Sequence, residues 1–173
     1  MVSQVNTTTD FSAMNCSIAR SFGVMGDPWK ALIIRDISLG LTRFDQIAED
    51  LGVSRKVLAQ RLDEMVAEGL LDRAAYQQRP IRYDYLLTER GAGLVPIILA
   101  VLAWGDRWLI GDGGVPAIPL HRGHVCRAEV VCATCGDPIA AADVDGAIGP
   151  GGTVGPGTRI IGTRMKPTPQ GER

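Results

Sequence analysis

The sequence predicts a mainly α fold with one small β-hairpin, and three observations carry that reading. Apolar residues recur at helical spacing in four short segments between Cys16 and Glu68, each stopped by a glycine. After Gly69 the period changes to alternation over Leu70–Arg73 and again over Ile81–Leu86, with the polar run Tyr76-Gln77-Gln78-Arg79-Pro80 as the hairpin tip between them. The connection between the third and fourth helical segments, around Gly52-Val53, is short enough for one helix to cross its predecessor steeply. Together these give a winged helix-turn-helix followed by a small C-terminal Cys/His extension.

Residues 1–15 are polar and Thr-rich, without periodicity, and read as a flexible N-terminal tail. A first helix spans Cys16 to Met25, with Ile18, Ala19, Phe22 and Met25 on one side. Asp27 suits the cap of the second helix and Pro28 its first turn; Trp29, Leu32, Ile33 and Ile37 follow until Gly40. A third helix carries Ile47, Ala48 and Leu51 and closes at Gly52. Ser54 caps the fourth, in which Leu58, Leu62 and Met65 form a core stripe up to Gly69. After the wing, Thr88 caps a longer helix, with Glu89 placed where a negative charge suits the dipole. Its residues Leu94, Ile97, Ile98, Val101, Leu102, Trp104, Trp108 and Leu109 cover much of the circumference, so it needs a partner, and a second copy is the simplest. The domain closes at residue 110. A Gly/Pro linker over 111–120, the Cys/His extension over 121–145 and a flexible Gly/Pro/Thr tail over 146–173 complete the chain.

With 46% hydrophobic and 21% charged residues the composition is globular. No apolar run approaches the ~18 residues that span a bilayer, and the N-terminus has neither the basic start nor the apolar centre of a secretion signal. The cytoplasm and no membrane partner are therefore expected, with Cys16, Cys126, Cys132 and Cys135 mostly reduced. The balance of 18 basic against 19 acidic residues decides nothing, because nucleic-acid binding needs a local positive face rather than a positive total.

Such a face is present. On a helical wheel Lys56, Ala59 and Gln60 lie opposite the core stripe, flanked by Arg55 and Arg61, and no acidic residue falls between Ser54 and Arg61. A positive leading end can approach phosphates while Arg, Lys or Gln reaches base edges, and the free amides after Ser54 favour a phosphate. The wing is likewise free of acids between Arg73 and Asp84 and carries Arg79 and Arg82, suited to backbone contacts. Solvated faces are the plain alternative for either feature alone; both in order on one helical frame point to double-stranded DNA.

The segments Cys16-Ser17-Ile18-Ala19-Arg20, Gly26-Asp27-Pro28-Trp29, Ile33-Ile34-Arg35-Asp36 and Arg43-Phe44 carry a family resemblance. It continues through Val57-Leu58-Ala59-Gln60-Arg61-Leu62, Gly69-Leu70-Leu71, Tyr83-Asp84-Tyr85-Leu86-Leu87-Thr88 and Trp104-Gly105. Over a little more than half the chain, these resemble the HxlR-type winged-helix regulators of bacteria. The resemblance implies a homodimer built from the first and last helices of the domain, with recognition helices about one DNA turn apart on a pseudo-palindromic operator. Ser17 stands where Pro is common after the first Cys, which leaves the fold reading intact. Cys16 matches the position through which some members sense oxidants or electrophiles. By its residues alone it reads rather as a small packed apolar side chain, because the sequence shows no electropositive setting beyond Arg20.

The extension reads His121-Arg122-Gly123-His124-Val125-Cys126, then Cys132-Ala133-Thr134-Cys135-Gly136. The second run is the half-site of a zinc knuckle, and Cys126 with His124, or else His121, is the candidate to complete a structural zinc site with Cys132 and Cys135. Free thiols are the alternative. The short Cys126–Cys132 spacing and Pro138 close behind Cys135 argue against a finger-type site and a thioredoxin-like dithiol respectively. DNA binding itself requires no cofactor. The expected function is a non-enzymatic DNA-binding regulator, a repressor for want of an activation domain, responding to a small-molecule effector or to thiol modification. A dimeric protein-interaction module and, behind it, a dithiol oxidoreductase are the alternatives. No phosphate-binding glycine loop, catalytic triad or carboxylate pair is present in the sequence.

Overall fold

The computed structural model describes residues 10–11, 13–111, 113–153 and 155–166; the portions of the expected tails at 1–9, 12, 154 and 167–173 lie outside them. Pro28–Pro138 forms one compact unit, and the described residues of Met1–Asp27 and Ile139–Arg173 form another.

The second of these units holds α1 (Ser17–Met25), which leaves Ile18 and Phe22 exposed one turn apart. Asn15, just ahead of it, donates through Nδ2 to Thr153 Oγ1 at 2.6 Å, and to Thr153 O at 3.1 Å. The C-terminal part carries one short turn of helix (Ile161–Arg164) with Gly162 buried, and a bridge between Ala147 and Lys166.

The larger unit is the winged helix. It runs α2 (Pro28–Ser38), α3 (Phe44–Leu51), α4 (Arg55–Ala67), β1 (Leu71–Gln78), β2 (Ile81–Leu87), α5 (Glu89–Ala92) and α6 (Val95–Trp108). Ile33, Ile34 and Ile37 from α2, Ile47 from α3, and Leu58, Leu62 and Met65 from α4 meet Leu70, Leu71 and Tyr85 in a buried core. The i, i+4, i+7 spacing of the α4 residues puts them on one face, so packing holds that helix and dictates which face it leaves outside. Each fully buried Leu or Ile contributes about 1.5–3 kcal/mol. Gly52 adopts the left-handed backbone (φ 59°) that turns the chain from α3 into α4. β1 and β2 pair antiparallel from Leu71–Leu87 to Gln78–Ile81. The other edge of β2 takes an N–H bond from Tyr85 to Thr42 O at 2.8 Å and an Arg43–Asp84 bridge.

Two features depart from the sequence expectation. The strands run further than the alternation suggested, so Tyr76–Gln78 belong to β1 and only Arg79 and Pro80 make the turn. Away from the core both faces of the ribbon meet water, so hydrophobic alternation fades while the ladder continues; Tyr76 sits where the register shifts between Ala75 and Gln77. The long helix after Thr88 is in fact two. Thr88 does cap, its Oγ1 accepting the Gly91 N–H at 3.1 Å, but α5 ends at Ala92 and α6 restarts with Pro96 in its first turn. Pro96 has no N–H to give the Ala92 carbonyl and its ring would crowd it.

By length and composition alone Glu89–Trp108 could cross a membrane. Its first turn is tied to the winged helix instead. Arg90 Nη1 donates to Glu68 O at 2.6 Å, and Gly91 lies so close to Leu70 that a Cβ there would come within 2.1 Å of the Leu70 carbonyl oxygen. Among the described residues two further strands, β3 (Leu120–His121) and β4 (His124–Val125), form a small hairpin in the extension.

Candidate nucleic-acid interface

The packing of Leu58, Leu62 and Met65 leaves the opposite side of α4 in water, and Lys56, Ala59 and Gln60 are all exposed there. Ser54 caps the helix as its type suggests, Oγ accepting the Val57 N–H at 3.3 Å. Arg55, in the first turn, is 72% exposed. Gln60 Nε2 donates to Glu64 Oε1 at 3.0 Å, a contact along the helix that leaves the amide in the exposed row. Arg61 differs. Its guanidinium lies 3.1 and 3.2 Å from the two Glu64 oxygens and only 18% of the side chain is exposed, so it is far less open to solvent than Arg55.

In the wing, Arg79 is exposed at the turn, and the Gln77 amide braces that turn by donating to the carbonyls of Arg79 and Pro80 at 3.2 and 3.1 Å. Arg82 is 51% exposed and reaches back toward α3, its Nη1 3.8 Å from Asp45 Oδ2. The other Asp45 oxygen lies 2.7 Å from Arg55 Nη1, while the Arg55 guanidinium stacks on the Phe44 ring at 4.8 Å. These side chains, with Tyr76 and Tyr83, line an open cavity of about 290 Å³ between the start of α4 and the wing.

Asp45 and Arg43 are the two residues that sequence reasoning missed here. Arg43 lies 4.4 Å over the Tyr76 ring and 3.4 Å from Asp84, adding a cation to the base of the wing. The acid-free stretches in α4 and the wing are real, but folding brings an acid from α3 between them. The sequence signal for Asp45 was a carboxylate in the first turn of α3, which is ordinary for any helix.

The cysteines are all free. Cys16 is half-buried at the N-cap of α1 and makes no side-chain capping bond. Gly157 lies beside it, close enough that an added Cβ would sit 3.5 Å from Cys16 Cβ. In the extension, Arg122 (φ 50°) and Gly123 (φ 84°) turn β3 into β4, bringing the His121 and His124 rings edge-on with centroids 5.4 Å apart. Cys132 and Cys135 occupy a separate tight loop, in which the Gly136 N–H donates to Cys132 O at 2.8 Å and Val131 bridges Pro138. Backbone N–H groups of Cys135 and then Thr134, pointed at the sulfur, hold the Cys132 thiol below its ordinary pKa. Among the described residues no three His, Cys, Asp or Glu side chains gather at metal-binding distance, so His124, Cys126, Cys132 and Cys135 are not assembled into one site.

Residues 24–112, about half the chain, match the HxlR-like helix-turn-helix family. The HTH-type transcriptional regulator Rv3095 of Mycobacterium tuberculosis, itself uncharacterized, is 38% identical over 137 residues, which are 78% of this chain and 87% of that one. Among solved structures, PA1607, a proposed transcription factor, superposes with a TM-score of 0.68 at 31% identity, covering 77% of this chain and 94% of its own. The redox regulator HypR in its reduced form superposes with a TM-score of 0.50 at 29% identity over 54% of this chain and 96% of its own. The winged helix is thus matched by sequence and by structure, and the chain belongs to the HxlR-like helix-turn-helix family of transcriptional regulators, which are not enzymes.

Proposed function

We propose that the protein represses transcription in the cytoplasm by binding a pseudo-palindromic duplex operator as a homodimer. The observation that carries the reading is the division of α4: three side chains fully buried in the core and Lys56, Ala59 and Gln60 exposed on the opposite face behind a capped N-terminus. Lys56 and Gln60 read base edges in the major groove. Ser54 and the amides it leaves free meet a phosphate, and Arg55, Arg79 and Arg82 hold the flanking backbone. Arg61, held by Glu64, shapes the helix surface rather than touching bases.

Dimerisation is supported by the exposed apolar residues at Ile97, Val101, Trp104 and Trp108 on α6, a spacing that keeps them on one stripe, and by Ile18 and Phe22 on α1. A second copy covering both faces sets the spacing of the two recognition helices. Regulation through thiol modification at Cys16 is supported by likeness to a redox regulator and by the position of the thiol at the start of α1. The test is a fluorescence-anisotropy titration of reduced protein against its own upstream duplex and a scrambled duplex, at two salt concentrations, repeated after a thiol oxidant. A preference for the upstream duplex that weakens with salt is expected. Equal, feeble binding to every duplex from an unbiased genomic selection overturns the DNA reading in favour of a protein-interaction module.

A further inference from the structure

The carboxylate of Asp45 faces both arginines that flank the mouth of the reading surface. Its Oδ1 lies 2.7 Å from Nη1 of Arg55 at the start of α4, and its Oδ2 lies 3.8 Å from Nη1 of Arg82 on the wing. It is the acid of neither element; α3 supplies it from its first turn. All three side chains are more than half exposed, so the ion pairs between them are open to solvent. Phe44, stacked under the Arg55 guanidinium at 4.8 Å, keeps that guanidinium over the cavity.

A carboxylate accepting from two guanidinium groups is a close chemical stand-in for a phosphodiester: one negative charge, two acceptor oxygens, the same fork-like donors. Exposed ion pairs contribute about 0–1 kcal/mol, so exchanging one for a phosphate meets little resistance. We propose that Arg55 and Arg82 form a clamp for one phosphate of duplex DNA, and that Asp45 occupies it as an internal competitor until DNA displaces it. This rests on the DNA reading above and adds to it a residue that opposes binding. When a phosphate enters, Asp45 must swing into water or stand against a like charge. Either lowers affinity for every sequence equally, while base contacts by Lys56 and Gln60 are untouched, so weak non-specific complexes suffer most in occupancy.

The test uses the full chain with Asp45→Asn, measured by fluorescence anisotropy against a non-cognate duplex over a series of salt concentrations. Circular dichroism melts of each variant confirm folding, which the exposure of Asp45 leaves intact. The expected result is roughly tenfold tighter binding at low salt, with the slope of log K against log salt unchanged, because Arg55 and Arg82 meet the same phosphate in both proteins. In an Arg55→Ala, Arg82→Ala background the gain disappears. Unchanged or weaker binding by Asp45→Asn overturns the competitor role and makes Asp45 a brace for the two arginines. A gain that persists without the arginines overturns the clamp and leaves only general repulsion. If neither wild type nor Asp45→Asn binds any duplex, the DNA reading itself falls with the proposal.

Discussion

Trp104→Glu should dissociate the proposed homodimer while leaving the winged helix folded. Trp104 is 57% exposed, on the stripe with Ile97 (47%), Val101 (60%) and Trp108 (62%). A Trp side chain offers up to about 250 Å², so the exposed share of Trp104 is about 140 Å², worth roughly 3.5 kcal/mol at about 25 cal/mol per Å² when covered. In a two-fold dimer the residue counts twice, for about 7 kcal/mol as an upper bound. Imperfect coverage and the cost of association reduce that; even half of it is more than two decades in the dimer constant at about 1.4 kcal/mol per decade. The glutamate adds a buried charge in each copy. Sedimentation velocity at micromolar concentration should therefore show a dimer for wild type and a monomer for the variant, with matching circular dichroism spectra. Affinity for a two-half-site operator should fall in parallel, since a monomer reads only one half. A variant that still sediments as a dimer would show that α6 is not the interface and that its apolar stripe has another occupant.

Three other substitutions or reagents test separate parts of the structure. Gly91→Ala brings a Cβ to 2.1 Å from Leu70 O and 3.3 Å from Leu87 Cδ2, and backbone cannot yield as a side chain can; a loss of about 1–3 kcal/mol is expected, read as a lower melting temperature, and an unchanged melt refutes the close approach. Asp36 is 1% exposed, with Oδ2 lacking a hydrogen-bond partner, and burial raises its pKa against the opposing pull of Arg35. A raised folded-state pKa means stability present below the unfolded value of about 3.9 is lost as pH rises through the folded one, so Asp36→Asn should melt higher than wild type at neutral pH and the gap should close in acid. Arg35 keeps Asp50 as a partner at 2.8 Å in that variant, and a variant that melts lower at every pH would mean the Arg35–Asp36 pair outweighs its desolvation. Cys132, its thiol held low by the Cys135 and Thr134 amides, should be alkylated by iodoacetamide at lower pH than free cysteine in the same tube; peptide mapping that finds it no earlier refutes the loop geometry.

Most of the winged helix was legible because its signals are local. Caps at Ser54 and Thr88, the stop at Gly52 and the Leu58, Leu62, Met65 stripe each act within a few residues, and the structure uses every one. What failed depended on where the chain goes next. Tyr76–Gln78 read as a turn because polarity resembles a tip, yet a ribbon that has left the core has no buried face to make apolar. Pro96 was read past because the apolar stretch continues on both sides of it, while the break depends on one missing N–H.

The reading surface shows the same division at the level of charge. The exposure of Lys56 and Gln60 was legible because it follows from the helical period of the core residues beneath them. Arg61 sits on the same helix, but its direction is decided by Glu64 three residues on, and both outcomes fit the same wheel. Asp45 lies ten residues before Arg55 and on a different element from Arg82, so only the crossing of α3, α4 and the wing brings the three together. An inventory of positive charge along the sequence therefore overstates what DNA first meets. Arg55 and Arg82, the two arginines that flank the start of α4, both already hold an acid, Asp45.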